Sequence, residues 1–194
     1  QRKIPKKDLN LFGKEIDGKI KYLGLAETNI SGFLCNGGSV GHGLPVACGI
    51  ALAKKLKEEE GRVFCIVSDG EMNEGTTWES AMFAAYHKLD NLVVIVDKNN
   101  FQAIGRTEDV LDVDIVSVFH GFGFFAQHRN GHNYQDIEDA FSLLNAGSDE
   151  NPAVFVFDTI KGKGVSFMED KLEWHYRHVD EESYKLDLKE IKNQ

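Results

Sequence analysis

The segment "IVSDGEMNEGTTWESAMFAAYHKLDNLVVIVDKNN", residues 66–100, contains most of one strand–helix–strand unit. The continuously apolar, β-branched runs at 62–68 and 91–97 are typical of strands covered on both faces. Between them, apolar residues recur at helical spacing: Trp78, Ala81, Met82, Ala85 and Leu89. A helix that joins two such strands predicts a right-handed crossover and parallel pairing.

The rest of the chain continues this alternation. Helices are predicted at 44–57 and 134–147, and a further buried strand at 153–159. The pattern predicts an α/β fold, a three-layer sandwich with a mainly parallel sheet. We expect one domain over 1–194, ending in a peripheral, charged helical tail at 180–194.

Composition narrows the class of protein. The 194 residues are 42% hydrophobic, as in globular domains, and carry a net charge of −9. An acidic surface disfavours nucleic acid as a partner, although backbone amides can still bind a small anion. The three cysteines lack C-x-x-C spacing, and no apolar run reaches the length of a membrane span. We therefore predict reduced, core cysteines in a cytoplasmic protein.

Polar residues stand where two neighbouring strands end. Asp69 follows the first strand, and Asn99 and Asn100 follow the second. In parallel sheets ligands bind beyond the carboxyl ends of the strands, and Mg²⁺ takes carboxylate and amide oxygens. "SDG" could be only a turn and "NN" only a loop opener, but their positions one crossover apart favour a metal–phosphate site, with Gly70 allowing close backbone approach.

Two further segments could complete such a site. The glycine cluster "NGGSVGHGL" at 36–44 could present amides to a phosphate or approach a flat ring. After the third predicted strand, Lys161 and Lys163 could contact an anion, and His175 could donate or accept a proton. Surface lysines and a structural histidine explain this last segment equally well.

Together these motifs resemble a known family. "SDGEMNEG" followed by "DKNN" resembles the thiamine diphosphate signature, with Ser68 where the general signature has glycine. "GGSVGHGL" resembles the cofactor loop of transketolases, and "TIKGKGVSFMEDKLEWH" resembles their segment ending in W-H. The likeness covers about 36–178 and is closest to the separately encoded N-terminal subunit of split transketolases. It implies the thiamine diphosphate-binding fold, with residues 1–35 as the remnant of a longer N-terminal region that is incomplete here.

The resemblance also implies roles for particular residues. Mg²⁺, or Ca²⁺ or Mn²⁺, would be held by three groups: Asp69, Asn99 and the main-chain carbonyl of Phe101. Thiamine diphosphate would be contacted by eight residues: Gly38, Ser39, Val40, Gly70, Glu71, Asn99, Lys161 and His175. Catalytic roles would belong to four: His42, Glu74, Lys161 and His175. His42 stands where many transketolases have glutamine, and "NGHN" at 130–133 resembles a structural landmark of the family.

The implied function is transfer of a two-carbon ketol unit from a ketose, such as a ketose phosphate, to an aldose. The implied partner is a pyrimidine-binding transketolase C-terminal subunit or domain in a homo- or hetero-oligomer, without which the chain would be inactive. The alternatives are an alpha-type subunit of a 2-oxoacid dehydrogenase, a deoxyxylulose phosphate synthase-like enzyme, and a non-catalytic thiamine diphosphate-binding scaffold. A dinucleotide-binding module is disfavoured because "SDGEMNEG" lacks the G-x-G-x-x-G pattern.

Overall fold

A computed structural model describes residues 5–20, 22, 25, 28, 30, 34–145 and 150–192. The strands are β1 (Glu15–Ile16), β2 (Lys19–Ile20), β3 (Val63–Ser68), β4 (Leu92–Lys98), β5 (Phe101–Gln102), β6 (Gly105–Arg106), β7 (Phe125–Asn130) and β8 (Ala153–Asp158). The α-helices are α1 (Gly43–Leu56), α2 (Gly75–Tyr86), α3 (Thr107–Val110), α4 (Ile115–Phe122), α5 (Tyr134–Asn145) and α6 (Glu181–Lys192). Short 3₁₀ turns cover Lys6–Leu11, Asp69–Asn73 and Leu172–His175.

A four-stranded sheet in the order β3-β4-β8-β7 forms the centre, and every pair in it is parallel. The three strands predicted from the sequence are therefore confirmed within a residue of their predicted limits. The fourth, β7, was not predicted because its sequence "FAQHRN" is largely polar. It is a strand because it pairs along its whole length with the buried β8.

Helices cover the sheet from both sides, which confirms the predicted three-layer sandwich. Helices α1, α2 and α4 pack on one face, where Val94 and Val96 of β4 join the larger core. Helix α5 packs on the other face, where Val93 of β4 and Phe155 of β8 are fully buried. The alternation along β4 is the period-2 geometry of a strand buried on both sides.

Two details of the predicted core are wrong. On β3, Phe64 and Ile66 are 52% and 73% exposed, so the described residues cover this strand on one face only. Met82 is 49% exposed, because α2 turns its small residues inward, with Ala81 and Ala84 fully buried. Small side chains at these positions let α2 approach α1 and α4 closely.

The cysteines divide into two kinds. Cys48 and Cys65 are buried and free, and burial, the largest influence, raises the pKa of these thiols to about 11 and about 12. Cys35 is exposed, which contradicts the prediction that all three lie in the core. Its side chain belongs to the loop before α1, where the local apolar residues do not pack inward; Leu34 is 82% exposed.

The two ends of the chain contribute less to the fold than its central part does. Helix α6 occupies the predicted charged tail. Much of 1–35, predicted to be the remnant of a longer region, lies outside the described residues, as do positions 146 and 147 of the predicted second helix. In the part of the chain that the structure describes, no helix is both long and apolar enough to cross a membrane. The domain limits and the cytoplasmic location stay predictions.

Candidate functional site

The first strand end forms a capped 3₁₀ turn. Ser68, the last residue of β3, accepts a hydrogen bond at its Oγ from the Glu71 N–H at 3.3 Å, and Glu71 Oε2 accepts one from the Ser68 N–H at 2.8 Å. A serine followed three residues later by glutamate is the sequence signature of this reciprocal capping box. It sets the direction in which Asp69 and Gly70 leave the sheet.

Asp69 connects this turn to the loop after β4. Its carboxylate is 4% exposed and accepts hydrogen bonds from the N–H of Gly70 at 2.9 Å and of Asn100 at 2.6 Å. Burial, the largest influence, raises the pKa of the Asp69 carboxyl, while these two backbone bonds act to lower it. Each carboxylate oxygen keeps further lone pairs, so a cation placed here would relieve a buried negative charge.

The paired asparagines have different tasks. Asn99 accepts a hydrogen bond at its Oδ1 from the Phe101 N–H at 3.0 Å, which closes an Asx-type turn. Asn100 has φ of +63°, a left-handed conformation that asparagine tolerates better than most residues. That conformation aims the Asn100 N–H at Asp69, so the second asparagine serves the backbone and the first leaves its side chain at the site.

The glycine cluster lies against the start of α2. Gly41 has φ of +76°, and a Cβ there would lie 2.7 Å from both Glu74 Cβ and Thr76 Oγ1. The Gly41 N–H donates to Glu71 Oε1 at 3.2 Å, and the Thr76 hydroxyl donates to the Gly41 carbonyl at 2.9 Å. Glu71 therefore joins the glycine loop to the capped turn, a task that its position in the sequence did not indicate.

A third segment, 160–176, folds back over this edge of the sheet. The Lys161 carbonyl accepts a hydrogen bond from the Asp170 N–H at 3.0 Å, and Gly162 packs so tightly on Met168 that a Cβ would meet it at 2.7 Å. Arg106 Nη2 contacts Asp170 Oδ2 at 2.7 Å, and the hydroxyl of Tyr176 donates to the carbonyl of Ala103. These contacts tie the segment to the β5–β6 hairpin.

The glycine cluster, the turn after β3, the loop after β4 and the 160–176 segment together line an open cavity of about 330 Å³. Seven of the predicted site residues line it: Val40, Gly70, Glu74, Asn99, Phe101, Lys161 and His175. Four lining residues were not predicted as site residues: Ser68, Asn73, Gln102 and Ala103. The Gln102 side chain donates a hydrogen bond to Asn73 Oδ1 at 3.1 Å. The only signal of these four residues in the sequence is that each lies within two positions of a predicted residue.

Five predicted residues do not line the cavity. Asp69 lines a smaller neighbouring cavity with Asn73 and Lys98, and the Glu71 carboxylate accepts hydrogen bonds from backbone amides. Gly38 and Ser39 are exposed on the approach to Val40. His42, also exposed, caps α1 by position without a side-chain cap bond, and its Nδ1 lies 3.0 Å from the Val40 carbonyl. The predicted roles of all these residues stay predictions.

The predicted donor atoms suit a cation that is coordinated partly by the protein and partly by phosphate oxygens. Within the described residues, no group of three or more His, Cys, Asp or Glu side chains is placed to hold a metal ion. The predicted ligands are instead one carboxylate, one side-chain amide oxygen and one main-chain carbonyl. Mg²⁺ commonly combines such a partial set with substrate phosphate oxygens and water.

Comparison with known proteins identifies the class. The sequence profile of the transketolase thiamine diphosphate-binding domain matches residues 24–191. The chain therefore belongs to the transketolase family and is a thiamine diphosphate-binding domain of the transketolase N-terminal type.

Individual relatives share this domain. An apulose-4-phosphate transketolase subunit from Actinobacillus succinogenes is 36% identical over 160 residues, covering 82% of this chain and 57% of that protein. The 6-deoxy-6-sulfo-D-fructose transketolase subunit SqwG of Clostridium sp. (strain MSTE9) is 34% identical over 158 residues, covering 81% of this chain and 57% of that protein. Crystalline transketolase from Campylobacter jejuni superposes with a TM-score of 0.76 at 26% identity, covering 81% of this chain and 26% of that one.

Proposed function

We propose that this chain supplies the diphosphate- and metal-binding half of a transketolase site that transfers two-carbon ketol units. The observation that carries the proposal is the cavity at which Gly70, Asn99 and Phe101 meet Lys161 and His175. It lies at the carboxyl ends of β3, β4 and β8, which is the edge where parallel α/β sheets bind ligands.

The residues present fit thiamine diphosphate with a divalent cation. Asp69, Asn99 and the Phe101 carbonyl would hold the cation, and the buried Asp69 carboxylate provides the negative charge that the cation balances. Gly70 lines the cavity with no side chain to block the diphosphate. When bound, thiamine diphosphate supplies the electron sink for carbon–carbon cleavage, and the protein supplies orientation and proton transfer.

The polar wall of the cavity would act on the sugar. Lys161 would bind an anionic group through its ammonium, and His175, exposed beside it, would exchange a proton with a substrate hydroxyl. Glu74 stands exposed at the opening of the cavity, where it could meet groups from a second protein domain.

A partner subunit is the second part of the proposal. The relatives from Actinobacillus and Clostridium are both named as transketolase subunits, which supports a split enzyme. A groove of about 300 Å³ lies between helices α1 and α2, with Pro45 and Gly49 of α1 and Phe83 of α2 in its lining. Both helices expose apolar side chains, Val46 of α1 at 39% and Phe83 of α2 at 40%. Contiguous apolar surface of this kind favours a protein interface.

The binding test is a calorimetric titration of thiamine diphosphate into the chain with Mg²⁺, and again with EDTA. We expect binding that requires the metal and is lost in Asp69→Asn, while NAD, as a control ligand, does not bind. The titration is repeated with a pyrimidine-binding transketolase subunit present. Metal-independent binding, or no binding even with that partner, would refute the proposed half-site.

Turnover distinguishes the alternatives. With the partner present, ketose phosphates, together with apulose 4-phosphate and 6-deoxy-6-sulfo-D-fructose, are offered alongside pyruvate and other 2-oxoacids. Consumption of a ketose with an aldose acceptor supports transketolase. Consumption of a 2-oxoacid instead would assign the chain to a dehydrogenase or a deoxyxylulose phosphate synthase-like enzyme, and cofactor binding without any turnover would indicate a scaffold.

A further inference from the structure

His132 lies in the loop between β7 and α5 and is not among the residues that line the cavity, but its ring reaches the backbone just after β8. Its Nε2 accepts a hydrogen bond from the Ile160 N–H at 2.7 Å, across 28 positions of sequence. A neutral imidazole has one acceptor nitrogen, so this bond places the proton on Nδ1. The imidazole therefore holds the Thr159–Ile160 peptide unit, one residue before the cavity lysine.

The loop that presents His132 is docked firmly. The Gly131 N–H donates to the Asp158 carbonyl at 2.8 Å, and a Cβ on Gly131 would lie 2.6 Å from Thr159 Cγ2. The His132 N–H donates to Asn130 Oδ1 at 2.9 Å, which closes an Asx turn around the glycine. Only glycine allows this close approach, so the ring is delivered from a loop whose backbone is already in contact with β8.

The two carbonyls that flank Lys161 along the backbone are anchored by backbone bonds. The Lys163 N–H donates to the Ile160 carbonyl at 3.1 Å, and the Asp170 N–H donates to the Lys161 carbonyl at 3.0 Å. These bonds shape the turn but lie within the 160–176 segment itself. The His132–Ile160 bond differs because it connects that segment to the loop that follows β7, a strand of the central sheet.

We propose that His132 is a positioning residue that sets where the Lys161 ammonium lies in the cavity. Without the acceptor nitrogen of His132, the Ile160 N–H would hydrogen-bond to water. The turn that carries Lys161 would then lose this connection to the loop after β7. The part of this inference that gives Lys161 a ligand rests on the proposed function. The effect of His132 on the backbone before Lys161 does not depend on it.

Two substitutions separate the hydrogen bond from the volume of the ring. His132→Phe keeps an aromatic ring but removes the acceptor, and His132→Gln restores an acceptor oxygen on a flexible side chain. His132 is exposed, so both variants should fold with little change in the thermal midpoint. Amide hydrogen exchange should accelerate about tenfold or more at Ile160 in His132→Phe, remain unchanged in β4, and return toward the wild-type rate in His132→Gln.

A double-mutant cycle tests whether the effect passes through Lys161. Removing the Lys161 charge in Lys161→Met should weaken thiamine diphosphate binding by about tenfold or more, as expected for a hydrogen bond to a charged group. His132→Phe alone should weaken it roughly three- to tenfold, and should weaken it no further when Lys161 is already methionine.

The outcomes are distinct. Unchanged exchange at Ile160 in His132→Phe, or an equal loss of affinity in both Lys161 backgrounds, would overturn the positioning role. A wild-type chain that binds no thiamine diphosphate with Mg²⁺ and partner would overturn the proposed function. The exchange rates would still decide whether His132 holds the Ile160 amide that precedes Lys161.

Discussion

Replacing Asp69 by asparagine should remove metal-dependent cofactor binding without unfolding the chain. The carboxylate is 4% exposed and accepts hydrogen bonds from the Gly70 and Asn100 amides at 2.9 and 2.6 Å. Asparagine has the same shape and can keep one of these bonds through its amide oxygen. The lost bond costs about 1–3 kcal/mol, but removal of a buried charge offsets it, because burial is the largest influence on the Asp69 pKa.

We therefore expect the metal-free variant to be within about 1 kcal/mol of the wild type, or roughly 2–4 °C in thermal midpoint for a chain of this size. The pH dependence has a defined sign. A raised pKa means that the folded chain binds more protons than the unfolded chain above the ordinary aspartate value of 3.8. The contribution of Asp69 to stability consequently falls as pH rises from that value through the folded pKa, and Asp69→Asn should lack this component.

Ligand binding gives the larger signal. Mg²⁺ and thiamine diphosphate at about 100 times the dissociation constant should stabilise the wild type by about 2.7 kcal/mol, which corresponds to roughly 5–10 °C. Asp69→Asn should show no such rise, and Asp139→Asn, the same change at an exposed position on α5, should retain it. Thermal unfolding followed by circular dichroism, with and without ligands, measures both effects.

Two results would refute this reasoning. An Asp69→Asn variant that keeps the ligand-dependent rise would show that Asp69 does not hold the metal. A metal-free variant that unfolds more than about 10 °C below the wild type would show that the two amide bonds outweigh the relief of the buried charge.

Further predictions concern the loops and the thiols. Gly131→Ala should destabilise the chain by about 1–3 kcal/mol, because the new methyl group would lie 2.6 Å from Thr159; a urea midpoint equal to that of the wild type would contradict the close packing. Glu71→Ala should cost about 1–3 kcal/mol by leaving two loop amides without their acceptor, and Glu71→Gln, which retains an oxygen, should lose less in the same urea titration. At pH 8 a thiol reagent should modify Cys35 quickly and the two buried thiols only after denaturation, since burial disfavours their thiolate forms; three fast-reacting thiols would show that the core opens.

The strands of the sheet could be predicted where successive residues are all apolar, so that both faces of the strand are apolar. The runs that became β3, β4 and β8 are continuous and β-branched, and burial between helices requires that pattern. Strand β7 could not be predicted, because none of its residues is fully buried and its strand geometry depends on β8. The exposed face of β3 was also unpredictable, since an apolar run does not specify which element covers it.

The candidate site was predictable where it depends on neighbours in the chain. Asp69, Asn99 and Asn100 follow strands directly, so the position of each strand end in the sheet determines where they meet. The local pattern left the roles of Lys161 and His175 open, and the family resemblance then favoured a place for both at the site. Their approach to the cavity depends on contacts such as Arg106 with Asp170, which are 64 positions apart.

The sequence by itself determined the layered α/β architecture and the strand ends that carry the metal-binding candidates, because hydrophobic periodicity and turn chemistry act between near neighbours. Only the tertiary structure decided that Glu71 joins the glycine loop to the turn after β3 and that His132 binds the Ile160 amide before Lys161, through bonds across 30 and 28 positions. Such bonds form between groups that the packed sheet brings to the right distance and angle, and no local property of glutamate or histidine specifies which distant amide it will meet.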